Sequence, residues 1–157
     1  MKLKGLVDND WANYKKCSTF LIFPFCTFKC EKECGIQCCQ NSSLARQPII
    51  EISTEKLVQR YLENPISESV VMGGMEPLDS FDDVVEFISA LRKCSDDPVV
   101  LYTGYYKSEI EDKIEQLQKF PNIIVKFGRF KPNEPHHIDP ILGVELASTN
   151  QYAEKIS

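Results

Sequence analysis

The stretch Phe20-Leu-Ile-Phe-Pro-Phe-Cys-Thr-Phe-Lys-Cys-Glu-Lys-Glu-Cys-Gly-Ile-Gln-Cys-Cys-Gln-Asn41 decides how this chain is read. Its first part is aromatic and branched, the composition of a strand over about residues 18–25. Its second part carries Cys26, Cys30, Cys34, Cys38 and Cys39, five of the seven cysteines. The thiols therefore sit on a loop (residues 26–39) at the end of a strand. Close spacing there lets several thiolates converge on one metal centre. An odd total with such crowding suits metal ligation better than a disulfide framework. Cys17 and Cys94 stand apart and read as small buried hydrophobes.

Outward from this loop, strands and helices alternate. Residues 1–16 read as an N-terminal strand or extension, and Asn41–Pro48 as irregular. Ile49–Ile52 reads as a short extended piece. Ser53 or Thr54 caps a helix with Leu57, Val58, Tyr61 and Leu62 at helical spacing, closed by Pro65. Glu68–Met72 is a buried strand, and Gly73-Gly-Met-Glu-Pro77 a turn at its end. Ser80-Phe-Asp-Asp83 has the form of a capping box, opening a helix whose apolar face is Val84, Val85, Phe87, Ile88 and Leu91. Pro98–Tyr102 is a strand stopped by Thr103-Gly104. Ser108 opens a helix running to about Phe120, and Asn122–Phe127 is the next strand. Residues 129–157 read as an irregular tail with a final strand around Tyr152–Ile156. This order predicts one domain over 1–157 of class α/β, with a mostly parallel sheet built from βαβ units. In such folds ligands bind at the carboxyl ends of the strands. The cysteine loop, Gly73–Pro77 and Thr103-Gly104 all fall there.

The totals narrow the function. At 157 residues, 43% hydrophobic and 26% charged, the chain has the make-up of a soluble globular domain. A net charge of −5 argues against a nucleic-acid or membrane-surface role. No apolar run reaches the roughly 18–20 residues of a membrane span, and the first ten residues are too polar for a signal peptide. The expected location is the cytoplasm, where thiols stay reduced.

Three thiolates can hold a [4Fe–4S] cluster and leave one iron open; four close the site and suit electron transfer or structural zinc. Gly73-Gly74 lets backbone approach a ligand, and Glu76 offers a carboxylate to an ammonium group. The same turn also serves as a plain βα connection. His136 and His137 read as metal or proton-transfer groups or as a solvated loop. Arg129 and Lys131 read as anion-binding or solvated.

Taken together these stretches resemble the radical S-adenosylmethionine superfamily. More narrowly, they resemble the activating proteins of anaerobic (class III) ribonucleoside-triphosphate reductase. Cys26-Thr-Phe-Lys-Cys30 looks like the first two cysteines of that family's Cys-x-x-x-Cys-x-x-Cys loop, and Cys39-Gln-Asn-Ser-Ser43 like the third with its flank. Gly73-Gly-Met-Glu-Pro77 resembles the family's Gly-Gly-[Asp/Glu]-Pro turn. Tyr102-Thr-Gly-Tyr105, Gly128-Arg-Phe130 and the segment Gly143–Gln151 resemble its later motifs, in order. The match spans about residues 18–151.

Two features depart from the pattern. Eight residues separate Cys30 from Cys39, so the third ligand is Cys39 by its flank, with Cys34 by spacing, or Cys38, as alternatives. Met75 lengthens the Gly-Gly-Glu-Pro turn by one.

The resemblance implies an abbreviated, partial radical S-adenosylmethionine barrel. It implies a [4Fe–4S] cluster on Cys26, Cys30 and Cys39, with S-adenosylmethionine on the open iron. Gly73, Gly74 and Glu76 would cradle the methionine end, with Thr103 and Gly104 near the ribose or sulfonium. It implies an oxidoreductase that cleaves S-adenosylmethionine to a 5′-deoxyadenosyl radical and installs a glycyl radical on a partner reductase, with flavodoxin or ferredoxin as electron donor. Competing readings are a zinc-stabilised adaptor and an electron carrier whose cluster has four cysteine ligands.

Overall fold

The computed structural model describes residues 1–157. Its centre is a six-stranded sheet in which β10 (Tyr152–Lys155), β7 (Ile123–Phe127), β6 (Val99–Tyr102), β5 (Val70–Gly74), β3 (Ser18–Phe23) and β2 (Gly5–Asp10) lie side by side in that order. The parallel part is β3, β5, β6 and β7. Two antiparallel strands form the edges: β2 beside β3, and β10 beside β7. The sheet stays open, because each edge strand lacks a further partner. A two-residue β1 (Lys2–Leu3) pairs with β4 (Ile50–Glu51), and β8 (His137–Ile138) pairs with β9 (Glu145–Leu146). The fold is therefore α/β with a mostly parallel sheet.

Alternation along the strands sends side chains to two different layers. Leu21, Phe23, Val70, Met72, Val99, Leu101, Ile123 and Val125 meet three helices and form the larger core. Those helices are α3 (Thr54–Glu63), α4 (Phe81–Leu91) and α5 (Glu111–Leu117), which bury Leu57, Tyr61, Phe87, Ile88, Leu91, Ile114 and Leu117. On the other face, Val71, Val100, Ile124 and Ala153 of β10 pack under Tyr14, Leu142 and Leu146. This second layer is made by the N-terminal segment and the tail rather than by helices. No helix is long and apolar enough to cross a membrane.

Several expectations shift. The first strand ends at Phe23, because Pro24 has no N–H to continue the ladder. Gly73 and Gly74 belong to β5, paired with Ile22 and Phe23, so the turn begins only at Met75. The capping box at Ser80 does not form. Ser80 makes no side-chain cap, and its hydroxyl is buried without a partner. A 3-10 turn, Pro77–Ser80, intervenes, and the Glu76 side chain caps it through Leu78 N at 3.1 Å. Ser108 lies in another 3-10 turn, Lys107–Glu109, so α5 starts at Glu111 and ends three residues before Phe120. Short helix α1 (Lys29–Cys34) lies within the cysteine loop, and α2 (Ser42–Ala45) lies in the Asn41–Pro48 stretch that reads as irregular. The tail carries β8, β9 and β10, so it is not irregular throughout. Cys17 is buried, but Cys94 is exposed rather than packed.

Asp139 ties the tail down. Its Oδ1 accepts from Ile141 N and Leu142 N, both at 2.9 Å, and its Oδ2 from Ala153 N at 2.9 Å on β10. The residue is buried, so no water replaces those bonds. Asp139→Ala leaves three backbone donors without an acceptor. It should cost about 2–4 kcal/mol and lower Tm by roughly 5–15 °C. A thermal melt indistinguishable from wild type would show that the tail is held by apolar packing alone.

Candidate metal and ligand site

A cleft of about 460 Å³ opens over the carboxyl ends of the parallel strands, on the face without helices. Cys26, Cys30 and Cys39 line it, together with Gly73, Gly74, Met75 and Glu76 from β5 and its turn, and Thr103 and Gly104 from the end of β6. The three separate stretches picked out at strand ends in the sequence thus meet around one space. Cys34 and Cys38 do not line it. Their sulfurs face each other at 2.9 Å in the inserted segment.

The cysteine loop is held by long-range hydrogen bonds. Glu76 N donates to Phe25 O at 2.7 Å, and Thr27 N donates to Asp79 Oδ2 at 2.9 Å. Tyr105 Oη reaches the other Asp79 oxygen at 2.6 Å. Asn41 Nδ2 donates to Gly74 O at 2.6 Å, fastening the far end of the loop to β5. Phe28 adopts a left-handed conformation (φ 52°), and its N–H points at Cys26 Sγ at 3.2 Å. Such a bond favours the thiolate form of Cys26. Against it, burial pushes the Cys26 thiol up to about 12. Burial likewise raises Cys39, with Cys30 and Glu31 adding to the shift. A metal that binds such a sulfur displaces its proton to solvent and holds the thiolate form.

Gly74 has no room for a side chain. Its φ is +81°, and a Cβ would stand 2.5 Å from Ile22 Cγ2. A Cβ on Gly73 would press on Phe20 and Tyr102, which also line the cleft. The glycines therefore keep the floor open and bare. Glu76 is 6% exposed, and internal donors already occupy its carboxylate. Oε1 accepts from Leu78 N and from Thr103 Oγ1 at 2.9 Å, and Oε2 accepts from Gly104 N at 2.8 Å. Of roughly four acceptor positions on a carboxylate, three are in use. Burial pushes this carboxyl up to about 7, although the three donors pull it down.

Three cations also line the space: Lys29, Lys126 and Arg129. Lys126 is the last residue but one of otherwise apolar β7 and lies on the cleft side of the sheet with Ile124. Its ammonium is buried, donates to Gly128 O at 2.9 Å and lies 5.9 Å from the Tyr102 ring centre. Burial lowers it to about 8, while Glu76 and Cys30 hold it up. The strand reading passed over Lys126; a lysine interrupting Ile123-Ile-Val-Lys-Phe127 just before a glycine was the available signal. Arg129 is buried rather than solvated. Its Nη2 reaches Glu109 Oε1 at 2.6 Å, its Nε lies 3.3 Å from Glu33 Oε2, and its guanidinium stacks 4.5 Å from the Tyr106 ring centre. Lys131 is half-buried outside the cleft. His136 is exposed and pairs with Glu145 at 2.9 Å, and His137 lies in β8, so neither belongs to the cleft.

No group of three or more His, Cys, Asp or Glu side chains is gathered tightly enough to hold a single metal ion. A cubane cluster makes a different demand, because each thiolate binds a different iron and the sulfurs stand farther apart. Three cleft-lining thiols, a backbone N–H on one sulfur and flanking cations fit such an anionic group. No curated protein and no solved structure gives a match to the chain. The family model described as a 4Fe-4S single cluster domain matches residues 16–149, from the end of the N-terminal segment through the cleft to the tail.

Arg129 is the main reason that the Glu109 carboxyl sits near 2, against an ordinary 4.5, with burial opposing. A depressed carboxyl stabilises the fold above its unfolded value, and that contribution disappears as pH falls through about 2. Urea unfolding from pH 5 down to pH 2 should therefore lose stability more steeply in the wild type than in Glu109→Gln. Parallel slopes would show that the pair adds nothing to the fold. The match covers most of the chain, and the protein belongs to the 4Fe-4S single cluster domain family, with the iron–sulfur binding that the family's description states.

Proposed function

We propose that the cleft is the site of a radical S-adenosylmethionine enzyme that installs a glycyl radical on an anaerobic ribonucleotide reductase. One observation carries this reading. Cys26, Cys30 and Cys39 share a single cleft with the Gly73–Glu76 turn and the Thr103-Gly104 end, whereas Cys34 and Cys38 stand outside it. Three thiols leave one iron of a [4Fe–4S] cluster open, which a four-thiol carrier or a closed zinc site would not. When bound, such a cluster supplies the electron that splits the sulfonium of S-adenosylmethionine into methionine and a 5′-deoxyadenosyl radical, the electron itself coming from a flavodoxin or ferredoxin.

The chain's own residues supply position and exclusion of water. Gly73 and Gly74 present backbone without side chains to the amino-acid end of the ligand. The remaining acceptor site on Glu76 and the turn carbonyls take its ammonium group. Lys126 offers its buried ammonium to the carboxylate. Thr103 and Gly104 border the ribose. The open sheet is read as an abbreviated barrel whose uncovered side admits a glycine loop of the partner.

The test is anaerobic reconstitution with iron and sulfide, reduction, addition of S-adenosylmethionine and assay of 5′-deoxyadenosine. Wild type and Cys34→Ala should form product, and Cys39→Ala should fall to background. Product lost in Cys34→Ala and kept in Cys39→Ala would move the third ligand to Cys34. A zinc-loaded protein making no 5′-deoxyadenosine would leave the adaptor reading. A glycyl radical signal on a co-expressed class III reductase tests the partner.

Lys126→Met should weaken S-adenosylmethionine binding by roughly 10–100-fold, the worth of one hydrogen bond between charged groups. Iron and sulfide content should stay at the wild-type level. Unchanged affinity, measured by equilibrium binding to the reconstituted protein, would remove Lys126 from the ligand's contacts.

A further inference from the structure

The insert between Cys30 and Cys39 has a chemistry of its own. Cys34 closes α1, and Gly35 after it takes a left-handed turn (φ 73°) with open space around it. The chain then returns Cys38 so that the two sulfurs lie 2.9 Å apart. Cys34 Sγ also points at two carbonyls, Glu31 O at 3.7 Å and Ile36 O at 3.5 Å. Carbonyl oxygens accept from a thiol and repel a thiolate, so this sulfur is poorly placed as a cluster ligand. Both cysteines are partly exposed, and Gly35, Ile36 and Gln37 between them are exposed. A soluble reagent can therefore reach the pair.

We propose that Cys34 and Cys38 form a redox-active dithiol, a modification site separate from the cleft thiols, which a small or protein disulfide oxidises reversibly. One thiol of the pair, as thiolate, attacks the reagent's disulfide, forming a mixed disulfide and releasing the first thiol. The neighbouring sulfur then attacks the mixed disulfide at the protein's own sulfur, forms the Cys34–Cys38 bond and releases the second. The pair loses two electrons and two protons, and the reagent takes them up as two thiols. Only three residues separate the cysteines, so closing the ring costs little chain entropy and gives little stabilisation in return. A short, exposed bridge of this kind belongs to the labile, reversible class rather than the structural one.

Closure also bears on the cleft. Glu31, on the same short helix, accepts from Cys39 N at 3.1 Å. Tying residue 38 to the end of α1 therefore fixes the residue next to Cys39 beside the helix that carries Cys30.

The test is alkylation mapping of the full-length protein equilibrated anaerobically with glutathione and its disulfide across a range of ratios. It is done both before and after reconstitution with iron and sulfide. As the buffer becomes oxidising, Cys34 and Cys38 should lose alkylation together as a linked peptide. The other five of the seven thiols should join no bridge in this step, exposed Cys94 taking at most a single glutathione, and dithiothreitol should restore every thiol. Cys34→Ser should instead stop at a glutathione adduct on Cys38, and Cys38→Ser at one on Cys34. Three results would overturn the proposal: both thiols staying alkylable at every ratio, bridges joining either one to Cys30 or Cys39, or both being protected after reconstitution and insensitive to the disulfide. The last would make them cluster ligands. Loss of the cluster with the bridge still forming would count against the proposed enzyme and leave the dithiol standing.

Discussion

The carboxylate of Glu76 holds the strand ends together. It follows β5, gives its own N–H to Phe25 O at the start of the cysteine loop, and gathers Leu78 N, Thr103 Oγ1 and Gly104 N on its two oxygens. Three loops are thereby registered by one residue, the cysteine loop through its backbone and the end of β6 through its carboxylate. Burying a carboxylate is costly unless donors compensate, and here burial still wins, since the group rises to about 7. The buried ammonium of Lys126 across the cleft faces the same field, and Glu76 is the leading influence keeping its proton on. The site thus rests on a buried carboxyl and a buried ammonium that influence each other, each with hydrogen-bonding positions left over. Unused positions of that kind in the lining of a cleft are where a polar ligand group can bind.

The division of labour between the sheet's faces explains why this site lies where it does. Val70, Met72, Val99, Leu101, Ile123 and Val125 are committed to the helical layer, where all six are buried. The alternate positions Val71, Val100 and Ile124 lie in the second apolar cluster, with Tyr102 packed against it. One step further along each strand come Gly73, Tyr102 and Lys126, and these three line the cleft. Gly73 is too small to fill the gap, and Tyr102 is anchored sideways through its hydroxyl to Asn13 O at 2.6 Å. The cleft is therefore a consequence of the strand period and of which residues occupy its last position.

What was legible in the sequence follows the range of the interactions. β6, β7 and α3 have local apolar patterns and the ends expected of them, and Ser53 does accept from Lys56 N as an N-cap. The false capping box at Ser80 shows the limit. Its residue types were right, but Pro77 and the Glu76 carboxylate start the turn earlier, and Glu76 is placed by contacts with residues 25, 103 and 104. Arg129 gave no local sign of burial, because its partners Glu33 and Glu109 lie far away in sequence. The loop's fastenings, Asn41 to Gly74 and Thr27 to Asp79, are equally non-local. Patterns with a period show faces and elements, while the pairing of loops depends on the finished fold.

The inserted residues show the same distinction at the cysteines. Spacing along the chain made Cys34 the compact choice beside Cys30, but spacing in space is set by how the chain turns. α1 carries Cys34 away from the cleft, and the Gly35 turn reverses the chain. Glu31 then catches the N–H of Cys39 as the chain returns. Met75 is absorbed in a related way. Gly73 and Gly74 remain in the ladder with β3, and the added residue is buried in the turn, so Glu76 still reaches Thr103 and Gly104. In both places an addition that breaks a linear motif leaves the cleft's lining in place, because backbone hydrogen bonds from fixed strands, and not residue counts, determine which side chains meet.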